Sequence, residues 1–278
     1  MHFSRTIALQ YPFILAVSLC ILLSGCASKR RWSEPLQEEE RLEMTKIISD
    51  MQETNKSCSD TLDAEARIFW NSPMGDSGVT GYLQIFSPSF IKFIVSNPLG
   101  MVVYAFASNG KSFQTLNTME RQHIRGSLHT LAIRRGLPLI LAQGDWFALL
   151  GERLPAQPFK VLEVTRDTTD KTVWMLLSQI GTSKTSDTQW VHLNPTERKV
   201  LGYLFLDKEG QTLADISYED QGGEKEGCFA TKRTIHITDL PWGAEIRIEL
   251  QDIRTDTQLN TSDFSLPVPV GYFKQLQP

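Results

Sequence analysis

The hydrophobic pattern changes character four times along the chain. From Tyr11 to Leu23 the residues are uncharged and mostly apolar, and Arg5 is the one basic residue before them. This is the basic start and short apolar run of a secretory signal, too short to cross a bilayer comfortably as a helix. Residues 27 to 35 are polar and end in Pro35. Met44, Ile47, Ile48 and Met51 then recur at helical spacing. They predict a helix over about 36 to 56, with Ser33 as a candidate cap and Glu38 to Glu40 at its positive N-terminal end.

From Leu62 the period becomes two, in runs bounded by Gly, Pro, Asn and Asp. The predicted strands lie near 61–70, 79–87, 90–96, 101–108, 111–117, 159–166, 172–180, 188–193, 198–206, 211–218, 229–238 and 244–254. Asn109-Gly110 predicts a tight hairpin, since both residues tolerate positive φ. Within Phe90 to Val95, Lys92 marks the wet face, so Ile91, Phe93 and Val95 should point inward. The same parity turns Ala66, Ile68, Leu83, Ile85, Ile235, Ile237, Ile246, Ile248 and Leu250 inward. So many one-sided antiparallel strands should curl around an apolar interior.

Residues 127 to 152 break this period and predict two short helices separated by Gly136-Leu137-Pro138. The second carries Leu139, Trp146, Phe147 and Leu150, a large apolar surface for a short element. The expected class is α+β, a curved antiparallel sheet with helices able to cover its mouth. Gln221 to Gly227 reads as a polar, Gly-rich loop, and no internal repeat is visible.

Leu23-Ser24-Gly25-Cys26 resembles a bacterial lipobox. By that resemblance residues 1–25 are a signal peptide, Cys26 carries a diacylglycerol and an acylated amino group, and 26–35 is a lipidated tether. Residues 36–278 are left as one domain. Several acyl chains anchor stably, at roughly 0.8 kcal/mol per buried methylene. Ala27 in place of Asp, by resemblance to the enterobacterial sorting rule, favours the outer membrane, with the domain facing the periplasm. Without Arg5, the mature chain has 27 Lys+Arg against 32 Asp+Glu. No basic excess suggests nucleic acid. Cys20 leaves with the signal and Cys26 takes lipid, so Cys58 and Cys228 remain, either as a disulfide or as two buried, unpaired thiols.

Enzyme readings fare poorly. Gly75-Asp76-Ser77-Gly78 resembles the nucleophile segment of chymotrypsin-like proteases, but their chain order needs a His upstream and only His2 precedes Ser77. The segment reads as a β-turn. His123, His129, His192 and His236 form no metal-ligand spacing, and neither a phosphate loop nor a Gly-x-Ser-x-Gly elbow is present. Neither catalysis nor a cofactor or metal is expected.

Ser96-Asn97-Pro98-Leu99-Gly100, between the apolar runs Phe90 to Val95 and Met101 to Ala107, resembles a hairpin of the LolB family of outer-membrane lipoprotein acceptors, within the LolA/LolB-like lipoprotein-localisation proteins. The likeness begins at Phe69-Trp70 and continues through Arg135-Gly136-Leu137-Pro138-Leu139, Trp146, the Gly151 to Pro155 region and the strand Ala244 to Gln251. It implies a half-open barrel of about eleven strands whose helix-covered apolar cavity, lined here by Leu83, Ile85, Ile91, Phe93, Val95, Ile246 and Ile248, accepts acyl chains. It also implies acylated lipoprotein clients, a LolA-like periplasmic carrier and a monomer. Leu99 maps to the residue that touches the bilayer during insertion; the alternative is a turn residue folded onto the core. The tail from Asn260 to Pro278 runs past the family pattern, and the Cys58 and Cys228 pair also departs from it. A lipid-anchored scaffold for another amphiphile or envelope partner, and an envelope hydrolase, are the alternatives.

Overall fold

The computed structural model describes residues 32–179, 188–219, 225–226 and 228–277. The signal segment and Cys26 lie outside the described residues. In chain order the described elements begin with β1 (Trp32–Pro35), α1 (Glu38–Lys56), β2 (Thr61–Ser72), β3 (Gly75–Phe86), β4 (Phe90–Ser96), β5 (Val102–Asn109), β6 (Ser112–Asn117) and β7 (Gln122–Ser127). Helices α2 (Leu128–Arg135), α3 (Leu139–Ala142) and α4 (Trp146–Gly151) follow. Then come β8 (Phe159–Asp167), β9 (Val173–Gln179), β10 (Thr188–Asn194), β11 (Lys199–Leu206), β12 (Thr212–Glu219), β13 (Lys225–Glu226) and β14 (Phe229–Ala230). The chain closes with β15 (Arg233–Thr238), β16 (Glu245–Arg254), a 3-10 turn (Thr261–Phe264) and β17 (Phe273–Gln277).

Fifteen strands form one open sheet in the order β1-β8-β9-β10-β11-β12-β15-β16-β2-β3-β4-β5-β6-β7-β17, and β13 pairs with β14 apart from it. All neighbours in the large sheet are antiparallel except β17, which lies parallel to β7. Register fixes which face each residue joins. Ala64 opposes Leu83, Leu83 opposes Phe93, Ile85 opposes Ile91, and Ile248 stands between Ile235 and Ile68. Because side chains alternate, these apolar residues share one face.

That face is covered by helices. Met44, Ile48 and Met51 of α1 join Leu141, Phe147, Leu149 and Leu150 of the middle helices in the main core cluster. Burying each such side chain contributes about 1.5–3 kcal/mol. Helix α1 opens at Gln37, whose backbone N–H donates to Glu40 at 3.4 Å, with three Glu in its first turn. The Gly136-Leu137-Pro138 break is also visible: α2 ends where Gly136 takes φ +64°, and Pro138 precedes α3.

Several expectations need correction. The sheet has fifteen strands, against about eleven implied by the resemblance and twelve period-two runs; those runs miss β1, β7 and β17, which carry no clear alternating apolar signal. Residues 32–35, expected in the tether, form strand β1, where Trp32 stacks on Trp190 at 4.2 Å and packs near Trp174 on the outer face of β9 and β10. Gly75-Asp76-Ser77-Gly78 begins β3 and is not itself the turn. The reversal falls one step earlier, where Met74 N–H donates to Ser72 Oγ at 3.3 Å and Gly75 adopts φ +126°. The run 229–238 divides into β14 and β15.

Lys92 does face away from the core, yet that surface is not simply wet. Its Nζ donates to Asp263 O at 2.9 Å because the C-terminal segment lies across this side of the sheet. Phe264 sits 5.6 Å from Phe90, and Leu266 and Tyr272 pack with Ala105, Ala107 and Leu116. Phe273 then enters β17 beside Gln122. The tail is therefore a strap over the outer face of β3 to β6.

Candidate functional site

The site begins with the inward row on β3, β4 and β16. Leu83, Ile85, Phe93 and Ile248 are buried in the main core, and Ile91, Val95 and Ile246 pack against it half-exposed. The structure thus gathers all seven expected cavity residues on the helix-covered face. Their neighbours there include side chains from α1 and α4. Only Ile246 of the seven lines an open cleft of about 500 Å³, which it shares with Trp70, Asp76, Ser77, His236, Glu245 and Arg247.

The helical cover is fastened from beneath by buried polar contacts that sequence reading missed. Glu152, just past α4, takes φ +55° and places its carboxylate 3.0 Å from Arg233 and 3.5 Å from Lys199. Arg233 also donates to Leu150 O at 2.9 Å, Tyr218 donates to Leu149 O at 2.6 Å, and Tyr203 donates to Arg153 O. The Arg153 guanidinium lies 3.9 Å from the Phe229 ring centre. Asp145 caps α4 by accepting Ala148 N–H at 2.9 Å and Ala156 N–H at 2.8 Å. Burial pushes its carboxyl up to about 6 despite those donors. The signal in the sequence was only the spacing of charged residues beside apolar helices, and it names no partner.

Cys58 and Cys228 are bonded, with their Cα atoms 5.9 Å apart. They join the turn after α1 to the start of β14, next to Arg153, whose Nη2 donates to Cys228 O at 3.5 Å.

Leu99 sits at the tip of the β4–β5 hairpin, 83% exposed. Asn97 Oδ1 accepts the N–H groups of both Leu99 and Met101 at 3.0 Å, and Gly100 takes φ +79° to complete the reversal. Leu99 is not folded onto the core.

Two groupings invite a hydrolase reading and neither builds a relay. Ser77 and His236 border the same cleft, but β15 and β3 are separated by β16 and β2, about 14 Å in strand spacing. Register also puts Ser77 with Trp70 and Ile246 on one face, and His236 with Arg247 and Phe69 on the other. On the outer face, Thr172 Oγ1 and Asp167 Oδ2 both approach His192 Nε2, at 2.6 and 3.6 Å. A relay needs the acid and the hydroxyl on opposite ring nitrogens. Among the described residues no group of His, Cys, Asp and Glu could hold a metal ion, and no helix is long and apolar enough to cross a membrane.

No family model and no curated protein matches the chain. Solved structures do. A domain described as an outer membrane lipoprotein-sorting protein from Vibrio parahaemolyticus is 15% identical with a TM-score of 0.54, covering 78% of this chain and 94% of its own. A LolA superfamily protein from Nitrosomonas europaea is 16% identical with a TM-score of 0.51, covering 80% and 97%. A DUF1329 family protein from Desulfovibrio piger is 13% identical with a TM-score of 0.54, covering 79% and 95%. At these identities the likeness establishes the fold alone: an α+β curved sheet like the sheets of these proteins.

Proposed function

We propose that this chain is a lipid-anchored acceptor, held at the outer membrane through Cys26, that takes acylated lipoproteins from a soluble periplasmic carrier and delivers them to the bilayer. The observation that carries this reading lies on β4 and β5, where an inward apolar row under helices adjoins a hairpin that exposes Leu99. The carrier-and-acceptor part rests on the LolB-like hairpin at Asn97 to Gly100 and the lipobox at Leu23 to Cys26. Transfer needs no covalent step. Acyl chains pass between apolar environments, driven by roughly 0.8 kcal/mol per methylene buried. An entering chain would displace helix side chains from the concave face, and Met44 and Met51 are flexible enough to repack.

The test is mass spectrometry of lipids and lipopeptides that co-purify with the anchor-free domain, followed by transfer of one labelled lipoprotein. Bound acyl species that pass on to liposomes are the expected result. An empty domain that neither receives nor releases the client overturns the reading. The helix side chains already packed on the concave face favour a second reading, a scaffold that holds another amphiphile or an envelope partner in the same fold.

A further inference from the structure

We infer that Met119, at the tip of the neighbouring β6–β7 hairpin, is a second membrane-contact residue that enters an anionic lipid surface beside Leu99. The inference deepens the proposed function and rests on it. Met119 is 84% exposed, as open as Leu99. The two hairpins are built alike. Asn117 Oδ1 accepts Met119 N–H at 3.1 Å and Glu120 N–H at 3.2 Å, as Asn97 Oδ1 accepts those of Leu99 and Met101.

The same bond, from an Asn or Asp oxygen to the N–H two residues on, recurs in four other strand connections. There it presents Lys111, Thr169, Thr196 and Glu209. The turn therefore does not require an apolar residue at that position. Leu and Met occupy it in two hairpins that stand side by side at one end of the sheet. Thr118 locks them together, its Oγ1 donating to Val102 O at 2.8 Å and its N–H to Val103 O at 3.1 Å.

Isolated apolar tips fit a fluid phase better than a protein groove, which needs a continuous complementary face. Entry into hydrocarbon also requires that backbone donors be satisfied internally, and the Asn oxygens do this at both tips. The C-terminal strap continues the line. Phe273 N–H donates to Arg121 O at 2.8 Å, placing the exposed Phe273 next to the Met119 turn, three residues after the exposed Val270. Arg121 and Lys274 follow these side chains closely in the chain and outnumber Glu120 there, which suits anionic headgroups.

The experiment uses the lipidated full chain in vesicles of phosphatidylethanolamine and phosphatidylglycerol. With Cys26 acylated and Cys58 bonded to Cys228, Met119→Cys supplies one thiol for an environment-sensitive fluorophore. Leu99→Cys and Thr196→Cys are labelled in parallel, and Thr196 marks the opposite end of the sheet. A blue shift at positions 119 and 99, quenched by nitroxide lipids, with no shift at 196, is the expected result. An unshifted label at 119 overturns the inference whatever 99 does, and so does an equal shift at 196. A silent 99 beside a shifted 119 removes the Leu99 contact from the functional reading and leaves this inference standing. Each variant's urea unfolding is measured alongside, so that a misfolded protein is not scored.

Discussion

Arg233 on β15 stands 3.0 Å from Glu152 at the end of α4, and both side chains are almost completely buried. This contact, with Lys199 beside it, fastens the helical cover to the sheet. Burial draws the Arg233 guanidinium below its ordinary pKa while the Glu152 carboxylate opposes that change. Removing one partner strands the other charge in the interior. Arg233→Met should therefore destabilise the domain by about 3–5 kcal/mol, whereas Arg233→Met combined with Glu152→Gln should recover much of the loss. Urea unfolding of the single and double variants checks this. Equal stability of Arg233→Met and the unaltered chain would show that the contact does not hold the cover.

How much of this was legible follows from the kind of signal involved. Strands with one apolar face announced themselves, so β3, β4 and β16 and their inward residues could be placed by parity alone. Gly136 and Pro138 announced the helix break through backbone chemistry. By contrast, β7 reads Gln-His-Ile-Arg-Gly-Ser and has little apolar alternation; pairing with β6 and β17 makes it a strand. The strap was equally hidden, because Phe264 and Leu266 gain their role only from the outer faces of β4 and β5. Leu99 could be singled out because Asn97, Pro98 and Gly100 spell a turn. The Glu152–Arg233 link spans eighty-one positions and has no local signature.

The Cys58–Cys228 bond closes a loop with a sequence separation of 170. In the chain-entropy account, a loop of that length stabilises the fold by about 5 kcal/mol. Reduction should lower the denaturation midpoint markedly, and Cys58→Ser with Cys228→Ser should reproduce the shift. Thiol labelling of denatured, unreduced protein from the periplasm should find neither cysteine reactive. Two labelled thiols would contradict the bond, and an unchanged midpoint on reduction would contradict its energetic weight.

Asp145 gives a pH signature of the opposite sign to an ordinary paired carboxylate. Its carboxyl holds a proton up to about pH 6 in the fold, but only to about 3.8 when unfolded. The folded state therefore binds more protons between those values. Its contribution to stability is full below pH 3.8 and is lost as the pH rises through 6, an effect of about 3 kcal/mol. Asp145→Asn cannot titrate. Its stability relative to the unaltered chain should improve by about that amount between pH 4 and pH 7, even though the amide replaces only one of the two acceptor oxygens. A flat difference across this range, from urea unfolding at each pH, would show that Asp145 ionises normally.

On the proposed acceptor reading, Leu99→Glu should separate receipt of a client from its release. The side chain is exposed and touches no core cluster, so folding and uptake from the carrier should be unaffected. A carboxylate resists entering hydrocarbon, so release into liposomes should fall sharply. Uptake and release are both read by following one labelled lipoprotein from carrier to liposome. Normal release by Leu99→Glu removes its membrane role.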